Sequence, residues 1–405
     1  MSTKRKLRHR DYGDGGLRER APGTWELVLR TIDSDGRRTR KFYTFKGSAV
    51  DARQKLAELQ RQAKVGQLPD ERMLFGTILD RWEKTLDVSP KTKERYLELV
   101  RLYIRPHLGA LKVRTITASR LEQFYGDLRD GRGPQNADAS KLSPRTIGHI
   151  HRLVVQGLGL AERDKAIEAS PARHAKRPKI EKTEIEILTE DQVRSVLTKL
   201  SGRSVYLLAL IGLATGMRRG ELLALRWKNV DLAAGSVKVE QSLEQTKAGL
   251  RFKAPKTRYG RRTITLPSSA TTELRKHRAK QAEQRLALGL GKPADDALVF
   301  QRPDGEPLVP NSVTTEWRRL VTTLKLPKVS LHAWRHTHAS QLIASGMDVL
   351  TISRRLGHGS PSITLDVYSH LFKPTDSAAA AVFESAFGQH LAERNDEPNR
   401  SKVET

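Results

Sequence analysis

The spacing of apolar positions changes several times along this chain, and the changes divide it. Thr24–Ile32 (TWELVLRTI) and Arg37–Phe45 (RRTRKFYTF) are rich in β-branched and aromatic side chains, with turn residues Asp33-Ser34-Asp35-Gly36 between them. They predict two paired strands. After Ser48 the period lengthens. Ala52, Leu56, Leu59 and Ala63 recur at steps of four, three and four, the apolar stripe of a helix. Ser48 with Asp51 three residues on predicts a capping box, and Gly66 a stop. Residues 1–66 are therefore expected to form a small unit, a sheet on one helix.

From 67 to 172 the pattern is helical. Ser89-Pro90 supplies an N-cap and a first-turn proline, and Tyr96, Val100, Tyr103 and Ile104 then share a face until Pro106 and Gly109 end the helix. Thr117–Leu128 is a second helix, and Gly131 to Ser140 a polar loop. Ser143-Pro144 opens a third, with Ile147, Ile150, Leu153, Val154, Leu158 and Ala161 at helical spacing. Residues 173–186 (RHAKRPKIEKTEIE) lack such a pattern and read as a basic linker. The largest unit is 187–391. Thr189 caps a helix starting at Glu190, Val205–Ala214 is a buried helix, and strands Ser236–Gln241 and Arg262–Leu266 bracket a basic turn region. Helices are expected near 269–288, 311–323, 332–345, 348–356, 361–370 and 376–390. The polar tail 392–405 is expected to be disordered.

Composition then narrows the function. The 405 residues carry 73 Lys and Arg against 46 Asp and Glu, a formal charge of +27. Residues 1–66 alone hold 17 basic and 8 acidic side chains. Solubility would account for some excess, but this much favours a polyanion partner, because Lys and Arg on phosphates release counterions. Within the first unit, Arg37, Arg38, Arg40 and Lys41 are the candidate DNA contacts, against the plainer reading of a solvated edge hairpin. There is no cysteine, which excludes disulfides and thiolate chemistry. The longest apolar run, Val205–Ala214, is too short to span a bilayer, and no secretory leader is visible. A cytoplasmic protein with no membrane partner is expected.

Three segments carry candidate chemistry. In Ala214-Thr215-Gly216-Met217-Arg218-Arg219-Gly220-Glu221-Leu222, Arg218 opens a helix where its guanidinium and backbone N–H groups could hold an anion, or could only pair with Glu221. In His332-Ala333-Trp334-Arg335-His336-Thr337, His332 and Arg335 lie one helical turn apart. His332 and His336 at i, i+4 are reminiscent of zinc, but Ala333 stands where a zincin has Glu and no further ligands follow, so no metal and no cofactor is expected. The third runs from Leu356-Gly357-His358 to Tyr368-Ser369-His370, where Gly357 ends one helix and Ser360-Pro361 starts the next. Two arginines, two histidines and a tyrosine on a basic chain describe a phosphate site with a nucleophile.

These segments resemble the tyrosine recombinases of the phage integrase family. ATGMRRGEL is similar to the family's first arginine box, HAWRHTHAS to its His-x-x-Arg box, LGHGSPSITLDVYSH to its Leu-Gly-His and tyrosine boxes, and PKTRYGRRTITLP to its lysine-bearing β-hairpin. Trp334 departs from the pattern, which usually has a smaller aliphatic residue there. The resemblance implies a multidomain protein: an arm-type DNA-binding domain over 1–66 with a three-stranded sheet plus helix, an all-α core-binding domain over 67–172, the linker 173–186, and a mainly helical catalytic domain over 187–391 with a small antiparallel sheet. It implies that Tyr368 attacks the scissile phosphate to form a 3′-phosphotyrosine, that Arg218 and Arg335 clamp the non-bridging oxygens, that His332 handles the tyrosine proton, that His358 hydrogen-bonds the phosphate, and that Lys256 protonates the leaving 5′-oxygen. Lys253 and Lys247 are the alternatives for the last role. Glu221 braces the site without direct chemistry, and His336, His338 and His370 are left as bystanders.

The expected function is site-specific recombination of DNA without metal or ATP, integrating or excising a phage or mobile element in a bacterial host, in association with the nucleoid. Expected partners are double-stranded DNA at core and arm attachment sites, accessory bending or directionality proteins, and further copies forming a homotetramer on synapsed DNA. In that tetramer the segment Ala378–Leu391, anchored by Val382, Phe383, Ala386, Phe387 and Leu391, would dock on a neighbouring protomer. Type IB topoisomerase activity and a catalytically inactive DNA-binding regulator are the other readings.

Overall fold

The computed structural model describes residues 16–32, 38–64, 72–133, 141–180, 185–255, 257–289, 291–372 and 380–387. The chain divides into two compact units, 1–181 and 182–405.

In the first unit, β1 (Gly16–Ala21), β2 (Thr24–Ile32) and β3 (Arg38–Lys46) form an antiparallel sheet in that order. Successive strand residues face opposite sides, so Leu27, Leu29 and Tyr43 share one face. They bury there against Ala52, Leu56 and Leu59 of α1 (Ala49–Lys64). The capping box forms: the Asp51 N–H donates to Ser48 Oγ at 3.2 Å, and the Ser48 N–H to Asp51 Oδ2 at 3.3 Å. Strand β1 reads GLRERA, too polar to announce itself by alternation, and only the family resemblance implied it. The turn at 33–36 and the stop at Gly66 lie outside the described residues.

The remaining helices of this unit are α2 (Phe75–Lys84), α3 (Pro90–Leu99), α4 (Arg105–Leu108), α5 (Ala118–Asp130) and α6 (Pro144–Arg163). All six apolar residues expected on the α6 stripe are buried. The helix stops at Gly109 as expected, but Pro106 does not interrupt it. The chain widens into a π turn over Val100–Ile104, where the Arg105 N–H reaches back to the Val100 carbonyl, and the helix runs on to Leu108. A wider turn is one way to absorb a proline that would otherwise clash with a carbonyl one turn earlier.

The second unit contains α7 (Glu190–Leu200), α8 (Tyr206–Thr215), α9 (Arg219–Leu223), β4 (Val230–Asp231), β5 (Ser236–Val239), β6 (Ser242–Thr246), β7 (Gly249–Lys253), β8 (Arg262–Thr265), α10 (Ser268–Ala287), α11 (Pro310–Thr323), α12 (Ala333–Ala344), α13 (Val349–Leu356) and α14 (Pro361–Tyr368). β4, β5 and β8 form one antiparallel sheet, and β6 and β7 a separate hairpin. The segment read as a basic turn region therefore holds a second hairpin, with Leu243 opposite Phe252 and both packed on the core. It is this hairpin, not PKTRYGRRTITLP, that turns back on itself. Pro255 cannot donate to a ladder. After it the chain makes a 3₁₀ turn at Arg258–Gly260 and enters β8, whose partner is β5.

Two apolar clusters meet at α12. Trp334 faces the larger one, built on α8, and Ala339 and Ile343 face a smaller one shared with Ile352, Leu356 and Tyr368. Trp334 stacks edge-on against Trp317 at 4.9 Å. It fits because residue 212 is glycine: a Cβ there would stand 2.7 Å from Trp334 Cε3. Among the described residues no helix is long and apolar enough to cross a membrane.

Candidate active site

The seam between the two clusters gathers most of the residues singled out in the sequence. Helix α8 ends at Gly216, in the left-handed conformation (φ +65°). A side chain at 216 would be strained, and its Cβ would meet His338 and Leu356 at 2.8 Å. Arg218 follows, ahead of the five-residue α9. Its backbone N–H is taken by Glu221 Oε2 at 3.0 Å, so it does not help hold an anion as the sequence reading allowed. Arg218 Nη1 donates to Glu221 Oε1 at 2.8 Å and Nη2 to the Gly357 carbonyl at 3.3 Å, and the side chain stays 42% exposed.

Glu221 is buried and also accepts from Arg262 Nη2 at 2.9 Å. Burial alone would raise its pKa, but Arg262 and Arg218 outweigh it and hold the carboxyl below its ordinary value. Arg262 is fixed in turn by its Nε on the Arg355 carbonyl at 2.6 Å. Arg262 lies within the segment PKTRYGRRTITLP, but sequence reasoning gave it no role there. Glu221 and Arg262 meet only when β8 lies beside α9.

Arg335 is 2% exposed. Its Nη1 donates to the Gly216 carbonyl at 2.8 Å, while Nη2 is buried with no partner among the described residues. Burial, then Arg218, lower its pKa to about 9, which still leaves a cation at neutral pH. His332 stands open to solvent at the start of α12, yet burial of its ring, then Arg335 and Arg218, lower its pKa. His358 Nδ1 lies 2.8 Å from Thr364 Oγ1, and burial with the nearby arginines brings its pKa down to about 3.

Tyr368 ends α14 and is 1% exposed. Burial pushes its phenol up to about 12, with Arg335 pulling the other way. His336 Nδ1 lies 2.7 Å from its hydroxyl, so the histidine on the tyrosine oxygen is one the sequence had set aside. The implied partner, His332, makes no hydrogen bond to Tyr368 among the described residues. His338 is structural: Nδ1–H donates to the Leu213 carbonyl at 2.8 Å and Nε2 accepts from Arg355 Nε at 2.9 Å, which ties α12, α8 and α13 together.

Lys256 lies outside the described residues. Lys253 is ion-paired with Glu244 on the neighbouring strand. In the first unit, alternation splits the proposed basic patch. Arg40 is exposed on the open face of the sheet, with Phe42 and Lys46, whereas Lys41 lies opposite Leu29 on the helix side and is half-buried. Arg38 belongs to β3, and Arg37 lies outside the described residues. The register adds Arg18 and Arg30 to the open face, which the sequence alone did not show.

The sequence profile described as "Phage integrase family" matches residues 186–374, and that of "Phage integrase, N-terminal SAM-like domain" matches 74–129. A "Tyrosine recombinase XerC-like" protein of Caldanaerobacter subterraneus subsp. tengcongensis is 26% identical over 74% of this chain and 79% of its own length. An "Integrase" of Streptomyces ambofaciens is 28% identical over 94% and 98%. In fold, the chain is similar to the Tn1549 transposon integrase solved with a circular intermediate DNA (TM-score 0.64, 21% identity, 78% of this chain and 99% of that one). It is also similar to a lambda integrase(75–356) dimer bound to a COC′ core site (TM-score 0.53, 18% identity, 72% and 97%). The two profiles together take in more than half of the chain, in the order in which the motifs occur, and the chain belongs to the phage integrase family of tyrosine recombinases.

Proposed function

We propose that this protein is a site-specific DNA recombinase that cleaves and rejoins strands through a 3′-phosphotyrosine, integrating or excising a phage or mobile element. One observation carries the reading: a buried tyrosine hydroxyl shares its site with Arg335, whose Nη2 is buried and has no partner among the described residues. A buried guanidinium N–H without an acceptor is costly, and a phosphate oxygen would satisfy it.

The roles follow from the geometry. Arg335 and the half-open Arg218 bind the non-bridging oxygens and stabilise the charge that develops on the phosphorane. Glu221 and Arg262 hold Arg218 in place. His358 Nδ1 is held by the Thr364 hydroxyl, and in the tautomer that accepts there the ring proton sits on Nε2, where it can meet a phosphate oxygen. Tyr368 is the nucleophile. With a pKa of about 12, keeping it ionised at neutral pH would cost on the order of 7 kcal/mol, so its proton must leave as the bond to phosphorus forms. The covalent link conserves the phosphodiester energy, so rejoining needs no ATP. Lys256 is the proposed general acid for the 5′-oxygen.

The basic open face of the β1–β3 sheet is the proposed contact for arm-site DNA, with Arg40, Arg18 and Arg30 as its cations, and the helical segment that follows is the proposed core-site contact. Val382, Phe383 and Phe387 are exposed, which supports docking of the C-terminal helix on a second copy within a tetramer. The test is covalent trapping on a nicked suicide duplex made from the DNA that flanks the coding sequence. The wild-type protein should form a phosphotyrosyl complex, and Tyr368→Phe should bind the duplex and form none. Trapping by the Phe variant would overturn the assignment.

A further inference from the structure

The motifs of the family leave His336 without a task. His332 caps α12, and Arg335 and His336 follow it within the helix at i+3 and i+4. The His336 ring sits beside two others, 4.6 Å from His332 and nearly perpendicular to it (87°), and 5.6 Å from Tyr368. Its Nδ1 makes the one hydrogen bond of the Tyr368 hydroxyl among the described residues, at 2.7 Å. A buried phenol needs an acceptor. An un-ionised phenol can donate, and the pairing that satisfies its proton leaves the lone pair on Nδ1 and the ring N–H on Nε2. Burial, then His332 and Arg335, hold the His336 imidazole down to about 4, so it is a free base at neutral pH.

We propose that His336 is a catalytic residue of strand cleavage, the base that takes the proton of Tyr368 as the phosphotyrosine bond forms. This deepens the recombinase reading and rests on it. The Tyr368 oxygen attacks phosphorus, the bond from phosphorus to the 5′-oxygen breaks, and the phenol proton passes to His336 Nδ1, giving an imidazolium. The 5′-oxygen takes its proton from a different group. In rejoining, the 5′-hydroxyl attacks and gives its proton back to the group that supplied it, the tyrosine oxygen leaves and the imidazolium returns its proton to it, so nothing is consumed. His332 and Arg335, the cationic or titratable neighbours of His336, disfavour the imidazolium in the free protein. The negative charge of the bound phosphate offsets them during the reaction.

The decisive variant is His336→Asn, whose side-chain oxygen can still accept from the phenol but has no useful basicity. The rate of covalent-complex formation is measured by rapid quench on the nicked flanking-DNA duplex. It should fall about 10²- to 10³-fold, within the roughly 10²- to 10⁴-fold that general acid–base catalysis contributes, while binding in gel shifts is unchanged. His336→Gln, run in parallel with melting curves, guards against a folding defect in one variant. The same comparison is then made with a polyfluorinated tyrosine at 368, whose phenol is far more acidic and needs little help from a base. There the deficit of the Asn variant should shrink to roughly tenfold or less. A deficit of equal size with both tyrosines would make His336 a packing residue and overturn the proposal, as would variants that cleave at the wild-type rate. If the wild-type protein traps no covalent complex, the recombinase reading falls and this proposal with it. Normal wild-type trapping with undiminished trapping by the variants sinks His336 alone.

Discussion

Replacing Glu221 by Gln tests whether the arginine cluster is held by charge. The carboxylate is 4% exposed and accepts three hydrogen bonds, from Arg218 Nη1 (2.8 Å), the Arg218 N–H (3.0 Å) and Arg262 Nη2 (2.9 Å). Gln keeps the shape, loses the charge and turns an NH₂ toward one of the guanidiniums. Breaking one partner of a buried pair costs about 3–5 kcal/mol. Arg218 retains an outlet to solvent, so the lower end, about 3 kcal/mol, applies. At about 2–4 °C per kcal/mol for a unit of this size, the melting temperature of the second unit should drop by roughly 6–12 °C. The sign with pH follows from linkage. The folded pKa of Glu221 lies below its ordinary value of 4.5, so its contribution is fully present above 4.5 and is lost as pH falls through the lower, folded value. The gap between wild type and variant should therefore be constant from neutral pH down to about 5, and close below 4.5. Thermal unfolding followed by circular dichroism at several pH values measures both. A melting temperature within about 2 °C of wild type, or a gap that persists unchanged in acid, would refute the reasoning.

Three further outcomes are expected. Lys256→Ala should cleave an ordinary duplex slowly but recover close to the wild-type rate on a substrate with sulfur at the bridging 5′ position, since a thiolate leaves without a proton; an equal defect on both would move the acid role to Lys253 or Lys247. Gly212→Ala should destabilise by about 1–3 kcal/mol by driving its methyl into Trp334, and pairing it with Trp334→Leu should give a non-additive recovery in a double-mutant cycle. Removing residues 1–66 should erase footprints at accessory sites while leaving core-site cleavage intact, and an unchanged footprint would give that segment another role.

The parts of the molecule that were legible in the sequence are those whose cause is local. Caps at Ser48, Thr189 and Ser360 are hydrogen bonds between residues a few positions apart, and the stripes of α1 and α6 follow from helical period alone. The boxes holding Arg218, Arg335, His358 and Tyr368 could be found because their residue types and order are themselves the signal. Lys41 shows the first limit: it is as basic as Arg40, but only the strand register shows which face each takes. The π turn at Val100–Ile104 shows a second, since Pro106 reads as a stop while the packed core around it keeps the helix going. Arg262 on Glu221 joins residues 41 positions apart, and His336 on Tyr368 joins residues 32 apart. Neither pair leaves a mark in local composition. Only tertiary packing decided them, because a buried carboxylate and a buried phenol must be satisfied by whatever the folded chain brings within hydrogen-bonding reach, and that neighbour is set by how β8 meets α9 and how α14 meets α12.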